Sequence, residues 1–414
     1  MAKSQKKVPR FPWELIGHNL RQNKSWEKIK TVYSSSYRCS FQVSRQGKNR
    51  QIDLSIMDIP GERLADLPMA HLNYEDWADM TFHQLENHSL RHLIAEPLQA
   101  WSNLDQLSDS DTSTSIESQL LDLYRAMTSK LVQAGIPVVS PSSALVRHDD
   151  HKHIDFLGHY IPASSIDEYR DKAIFGLSEE QTFLPLPNFL RQRFPKIAKT
   201  YAKNFEEYKK VVVAPLVNLL RNANRLILAM DITGTLVTGP IGREAVEHLL
   251  SSACRSLNIG SSPIYRPDRW FTSEIEKVAL VATKADTIQP KDRKAKSLTQ
   301  LIKPLMENAV HSAEAQRGTQ SKIQAFEVSA IRSSIDLDEE SISAHLLYRE
   351  NEKEVTTAEP ESIQPPAIPK SWREADQALS PFPCLVPQLP NSEQTPPQSI
   401  NVDEILNFLL DLPA

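Results

Sequence analysis

The sequence predicts a mixed α/β fold with a mostly parallel sheet, a large helical insertion and a Pro-rich extension, and three observations carry that reading. Arg225 to Asp231 (RLILAMD), Lys277 to Ala282 (KVALVA) and Gln324 to Val328 (QAFEV) are short apolar runs separated by stretches of helical period, the signature of parallel strands covered on both faces. Upstream, Tyr37 to Ser44 (YRCSFQVS) and Gln51 to Asp58 (QIDLSIMD) alternate polar and apolar residues, as strands of an antiparallel hairpin do. Between these groups, about 74–224, the period is mostly helical, as in IESQLLDLYRAMTSKLVQAG and FLRQRFPKIAKTYAKNFEEYKKVVVAPLVNLLRNAN, with a short extended piece expected at Ile136 to Val146.

Taken in order, residues 1–50 hold twelve Lys/Arg and two Glu, so against the overall charge of -5 the remaining 364 residues sum to -15. Such an arm can touch anionic lipid, nucleic acid or polyphosphate. A solvated terminus is the simpler reading, and the interleaved aromatic and basic residues of nucleic-acid modules are missing, so no specific nucleic acid is expected. The hairpin strands are joined by RQGKNR, and the second runs into a Pro-Gly loop. Beyond about residue 335 the chain turns acidic and then Pro-rich, with eleven of its 28 prolines between Pro360 and Pro413, and Val402 to Asp411 (VDEILNFLLD) reads as an amphipathic helix that docks back on the core. Four segments are expected: 1–74 and 225–340 as two parts of one α/β core, 75–224 as the helical insertion, and 341–414 as the extension.

Composition narrows the class. No apolar run approaches the roughly 18 residues of a membrane span, and MAKSQKKVPRF lacks the apolar core of an export signal. Cys39, Cys254 and Cys384 are too scattered for a disulfide framework or a CxxC metal site, which points to a reducing, cytoplasmic setting. Only 11 of 414 residues are Gly, against a usual share of about 7 %, so each glycine near a candidate phosphate site carries weight.

Ligands of open α/β sheets sit at the carboxyl ends of strands, and three strand ends carry a recognisable set. Asp58-Ile59-Pro60-Gly61-Glu62 is a DxxG string: the carboxylate can hold a Mg²⁺-bound water, and Gly leaves room for an amide to meet a γ-phosphate. Thr283-Lys284-Ala285-Asp286 is a [NT]KxD string, whose carboxylate can accept the N1–H and N2–H₂ edge of guanine while the Lys stem lies along the base. Ser329-Ala330-Ile331 stands where a backbone amide meets guanine O6. Alone each string is weak, since Asp before Pro-Gly is more often a turn. Their joint order favours a guanine-nucleotide domain.

With IMDIPGERLADLPM, VVVAPLVNLLRNANRLILAMD, VALVATKADTI and VDEILNFLLDL also in place, the chain resembles the YcjX family of bacterial stress-associated predicted P-loop NTPases, from about Pro9 to its C-terminus. The resemblance implies a small-GTPase-like sheet with a helical insertion before the fourth strand, GTP/GDP and Mg as cofactors, and Asp58, Gly61, Thr283, Lys284 and Asp286 as matches to the nucleotide motifs. It further implies a stress role at the inner membrane beside a partner of the YcjF type. GxxxxGK[ST], whose amides and Lys hold phosphates, does not occur; the one Gly-Lys is Gly47-Lys48, in the hairpin turn. The chain is therefore expected to start after the first strand and phosphate loop, through either a late gene start or true loss, with weak binding and negligible hydrolysis as the consequence.

Three competing signals are weighed against this. Asp231-Ile232-Thr233-Gly234-Thr235 resembles the start of haloacid-dehalogenase-type phosphotransferases, with Asp231 as nucleophile and Lys284 neutralising phosphate, but no downstream acidic pair completes a Mg²⁺ site. Glu62 stands where many GTPases carry the water-positioning Gln and could orient water as a catalytic residue; a carboxylate beside triphosphate is repelled, so a structural or switch role is favoured. His148, His151, His153 and His159 fit no standard ligand spacing and read as a solvated loop. The expectation is a guanine-nucleotide-binding, GTPase-type protein, with a catalytically silent interaction protein as alternative and the aspartyl phosphotransferase third.

Overall fold

The computed structural model describes residues 35–45, 48–59, 61–86, 88–106, 113–134, 136, 140–141, 182–257, 275–314, 322–350, 353–357, 359–376, 379–387 and 397–412. The chain divides into two compact units, Met1–Arg63 and Leu64–Ala414.

In the first unit, β1 (Ser35–Arg45) and β2 (Lys48–Asp58) form the expected antiparallel hairpin, in register from Ser35↔Asp58 to Arg45↔Lys48. The ladder runs further than the alternation suggests, because the polar residues read as a six-residue loop continue the pairing up to a two-residue connection. Gly47, expected in that turn, lies outside the described residues.

The second unit opens with the helical region: α1 (Tyr74–Glu86), α2 (His88–Ser102), α3 (Ser113–Gln133), α4 (Asn188–Arg193), α5 (Pro195–Tyr208) and α6 (Ala214–Arg221), the last two joined by one π-helical turn at Lys209–Val213. Pro195 sits at the start of α5, where a missing N–H costs nothing. Ile197, Tyr201, Phe205 and Tyr208 then recur at helical spacing and are all buried. Phe205 meets Trp77 and Phe183, and Tyr208 meets Phe183, with ring centroids 5.2 to 5.7 Å apart. Beside these rings the fully buried Asp66 accepts from Tyr208 Oη (2.7 Å) and Ser140 Oγ (3.0 Å). Most of the extended piece expected at 136–146 lies outside the described residues; Ile136, Ser140 and Pro141 are not in a strand.

The three apolar runs become β3 (Arg225–Met230), β4 (Lys277–Ala282) and β5 (Lys322–Glu327), parallel and in the order β3-β4-β5. β5 starts two residues earlier than its apolar run, since Lys322 and Gln324 place only one end of the strand in the interior. All of β4 is buried. The strands alternate with α7 (Ile232–Thr238), α8 (Pro240–Leu257), α9 (Pro290–Lys294) and α10 (Ser297–Glu314), and α10 packs on β4 and β5. The fold is thus mixed α/β with a parallel sheet and many helices.

The extension holds structure that its prolines concealed. β6 (Ser334–Asp336), β7 (Ile342–Ala344) and β10 (Glu361–Ile363) form an antiparallel sheet in the order β10-β7-β6, and β8 (Leu347–Glu350) pairs with β9 (Lys353–Thr356). Strands of three or four residues are too short to show a period. The closing helix α11 (Val402–Leu410) does return to the core, where Ile405 and Leu409 join Ala279, Val281, Phe326 and Val328. Its last turn is held by cations: Lys277 Nζ donates to Phe408 O and Asp411 Oδ1, both at 2.5 Å, and Arg225 Nε to Leu409 O at 2.7 Å. These bonds satisfy carbonyls that no further turn can reach, at the end of the helix where its dipole favours positive charge. Among the described residues no helix is long and apolar enough to cross a membrane.

Leu409 is 5 % exposed in this cluster. Leu409→Ala is expected to lower unfolding free energy by about 2–4 kcal/mol, read as a shift of the urea midpoint at unchanged slope.

Candidate functional site

Parallel strands in register end side by side, so the segments after β3, β4 and β5 are brought together in the second unit. Backbone bonds fix them there: Thr283 N donates to Met230 O (2.9 Å), Val328 N to Ala282 O (2.8 Å) and Ala285 N to Val328 O (3.1 Å). Asp58 ends β2 and Gly61 opens a 3-10 stretch, Gly61–Ala70, and with Glu62 they belong to the first unit. A Cβ built at Gly61 meets nothing within 4 Å, so packing within the chain does not require the glycine. The side chain of Glu62 and the histidines 148, 151, 153 and 159 lie outside what the structure describes.

Lys284 takes a left-handed backbone conformation (φ 63°), uncommon for a residue with a Cβ. Its ammonium meets Asp231 Oδ2 at 2.5 Å, joining the ends of β3 and β4. Asp231 caps α7, accepting from Gly234 N (2.9 Å) and Thr233 Oγ1 (2.8 Å). Burial works to raise its carboxyl, but the Lys284 ammonium and these donors outweigh it and hold it below the ordinary Asp value. The cap and the ion pair account for each of these bonds, and among the described residues no group of three or more His, Cys, Asp or Glu could hold a metal ion.

Asp286 lies two residues on, inside a one-turn 3-10 segment, and is only 4 % exposed. Its Oδ2 accepts from Ser333 N (2.7 Å), and its carbonyl from Ser334 Oγ (2.7 Å). The loop that follows β5 is thus folded against the carboxylate. Ser329 exchanges two backbone bonds with Ile400, N to O at 3.2 Å and O to N at 2.8 Å, while Ala330 is exposed. The structure therefore brings Thr283, Lys284, Asp286, Ser329 and Ala330 into one cluster at the carboxyl edge of the sheet. A carboxylate that accepts beside backbone amides that donate complements the donors and acceptor of a guanine edge, although Asp286 already accepts from Ser333 N. For Mg²⁺, Asp58 offers a single carboxylate, which suits contact through water to a nucleotide-bound ion rather than a six-oxygen cage.

Sequence reasoning missed Glu327, Ser333, Gln398, Ile400 and Asn401. Ser333, Gln398 and Ile400 take part through backbone atoms, which leave no mark on residue type. Glu327 shows as a lone acid at the end of an apolar run, and its 1 % exposure is the surprise. Its Oε2 accepts from Leu298 N (3.1 Å) and Thr299 N (3.3 Å) in the first turn of α10, whereas the buried Oε1 has no partner among the described residues.

The fold is an open α/β sheet whose [NT]KxD turn and Ser-Ala loop lie at adjoining parallel strand ends, the edge at which ligands of such sheets bind. The profile of the YcjX-like family, DUF463, matches residues 1–412, and the chain belongs to that family. It is also similar to the "Ras-like GTPase YcjX" of Escherichia coli (strain K12), with 27 % identity over 262 residues, 62 % of this chain and 51 % of that protein. The chain thus spans about half the length of the curated relative it matches.

Burial pushes the Glu327 carboxyl up to about 7, against the downward pull of the Thr299 and Leu298 amides and of the Lys296 and Arg293 charges. The folded state then holds this proton more tightly than the unfolded chain, so the stabilisation is complete below the ordinary Glu value of 4.5 and is lost as pH rises from there through about 7. Between about pH 5 and pH 8 the wild type is expected to lose about 2 kcal/mol more stability than Glu327→Gln, measured by urea unfolding of both proteins at each pH.

Proposed function

We propose that this chain binds guanine nucleotide through the carboxyl edge of β3-β4-β5, as a GTPase-type protein of its family. One observation carries the reading: Thr283-Lys284-Ala285-Asp286 ends β4 directly beside the Ser329-Ala330 loop after β5. In this reading Asp286 accepts the N1–H and N2–H₂ edge, the Lys284 stem lies along the base, and the Ala330 amide faces O6. For the DxxG string of the first unit, the family resemblance assigns Asp58 to a Mg²⁺-bound water, Gly61 to a γ-phosphate contact and Glu62 to a structural or switch role. The small-GTPase-like topology is supported by β3, which pairs on one side only among the described residues and whose Ile227 is 49 % exposed, at the edge where such a sheet carries the strand leading to its phosphate loop. GxxxxGK[ST] does not occur in the 414 residues, so the binding proposed for this chain rests on the base more than on phosphate. The stress role and a membrane-associated partner of the YcjF type are part of the proposal through the family resemblance.

A second reading, an interaction protein that works with no nucleotide, draws on the engagement of Asp286 Oδ2 by Ser333. Capture of a membrane-associated partner in nucleotide-free buffer supports it, and a strict GTP requirement counts against it.

Titration with fluorescent GTP and ATP analogues in Mg²⁺ separates the two readings. The wild type is expected to prefer guanine by at least about tenfold, and Asp286→Asn to erase that preference, since the amide retains an acceptor for Ser333 N but not a second one for the base. Equal wild-type affinity for GTP and ATP overturns the guanine reading.

A further inference from the structure

The loop after β5 is held from two sides by the chain itself. On one side Asp286 binds Ser333 N and Ser334 Oγ. On the other, residues 398–401 lie along it as a strap: Ile400 exchanges both backbone bonds with Ser329, Gln398 O accepts from Arg332 N at 2.7 Å, and Asn401 Nδ2 donates to Glu327 O at 3.0 Å. The amides of Ser329, Arg332 and Ser333, which flank the Ala330 amide of the guanine reading, are therefore spent internally and hold the loop down. The carboxylate beneath them is almost wholly enclosed, so the edge of a purine cannot reach both its oxygens while the loop stays down.

The strap can release without undocking α11. The helix is secured at its far end by Lys277 and Arg225 and through its length by Ile405 and Leu409. Its first turn is held by Val402, which packs on the same apolar cluster, and more weakly by the Lys296–Glu404 ion pair at 3.2 Å between half-exposed side chains, so the helix stays docked without the bonds of residues 398–401. Asn401 is the pivot: it has a left-handed backbone (φ 57°) and forms the junction of strap and helix.

We propose that residues 398–401 are an intramolecular competitor of guanine nucleotide, closing the Ser329–Ser334 loop over Asp286 until the base displaces it. This rests on the guanine reading above and names the regulation of that site. Displacement of the strap by the base implies the reverse, because coupling between two binding events is reciprocal: a weaker strap gives a tighter nucleotide.

Asn401→Gly tests this on the full chain. Glycine keeps the left-handed backbone at no steric cost and removes only the bond to Glu327 O. The probes are fluorescent GDP with Mg²⁺ for affinity and backbone hydrogen exchange over 328–334, with a thermal melt to verify folding. Expected are about three- to tenfold tighter GDP binding by Asn401→Gly, the loss of one hydrogen bond being worth that factor. Faster exchange at Ser329 and Arg332 is expected in the variant, and also in the wild type when GDP is added. Unchanged or weaker GDP binding by the variant, or slower exchange at these amides on adding GDP, overturns the strap while leaving guanine binding in place. No GDP binding by either protein at millimolar concentration overturns the guanine reading and the strap with it, whatever the exchange pattern.

Discussion

The sheet of the second unit and its covering helices are arranged around a strand that cannot face water. Each of the six residues of β4 is buried, among them Lys277, so both faces need a cover. Alternation sends Ala279 and Val281 to one side and Val278, Leu280 and Ala282 to the other. The first side is closed by Ile405 and Leu409 of α11, while α10 packs against the same strand. Burying Lys277 would be expensive without partners for its charge, and the carbonyl of Phe408 with the carboxylate of Asp411 supplies them. One central strand thereby dictates where the chain's last helix must go, and the strap that precedes this helix is carried across the β5 loop on the way.

Burial of this kind is what a sequence displays best. KVALVA and RLILAM are legible because a strand covered on both faces, or on most of one, has no polar positions to confuse the period, and VDEILNFLL is legible because its apolar stripe recurs at helical spacing. The strands of the extension were not, since three residues cannot establish an alternation and Pro360, Pro365 and Pro366 argue against strands on general grounds. The hairpin was legible in kind but not in length: Arg45 and Lys48 read as loop, yet pairing across a short turn suits polar residues as well as apolar ones.

The candidate site divides along the same line. Asp286, Thr283 and Ser329 could be nominated because side-chain identity at strand ends is visible in a string of letters. What holds them could not, because it is made of amides and carbonyls, which every residue has. The proximity of Lys284 to Asp231 falls between these cases. Both residues stood out as charged groups at strand ends, and their meeting follows from the register of β3 on β4, which places Met230 opposite Ala282.

The clamp between the start of the sheet and the end of α11 joins partners far apart in the chain: Lys277 and Asp411 are separated by 134 positions, Arg225 and Leu409 by 184. Loops of that size are slow to close, and contacts across them lower folding rates relative to local ones. During synthesis β3, β4 and β5 emerge long before their cover, leaving Ala279, Val281 and Phe326 exposed on one face until residue 411 has left the ribosome. A nascent chain in that state has an open apolar sheet of the kind that chaperones recognise, and it stays open until residues 402–411 emerge to cover it.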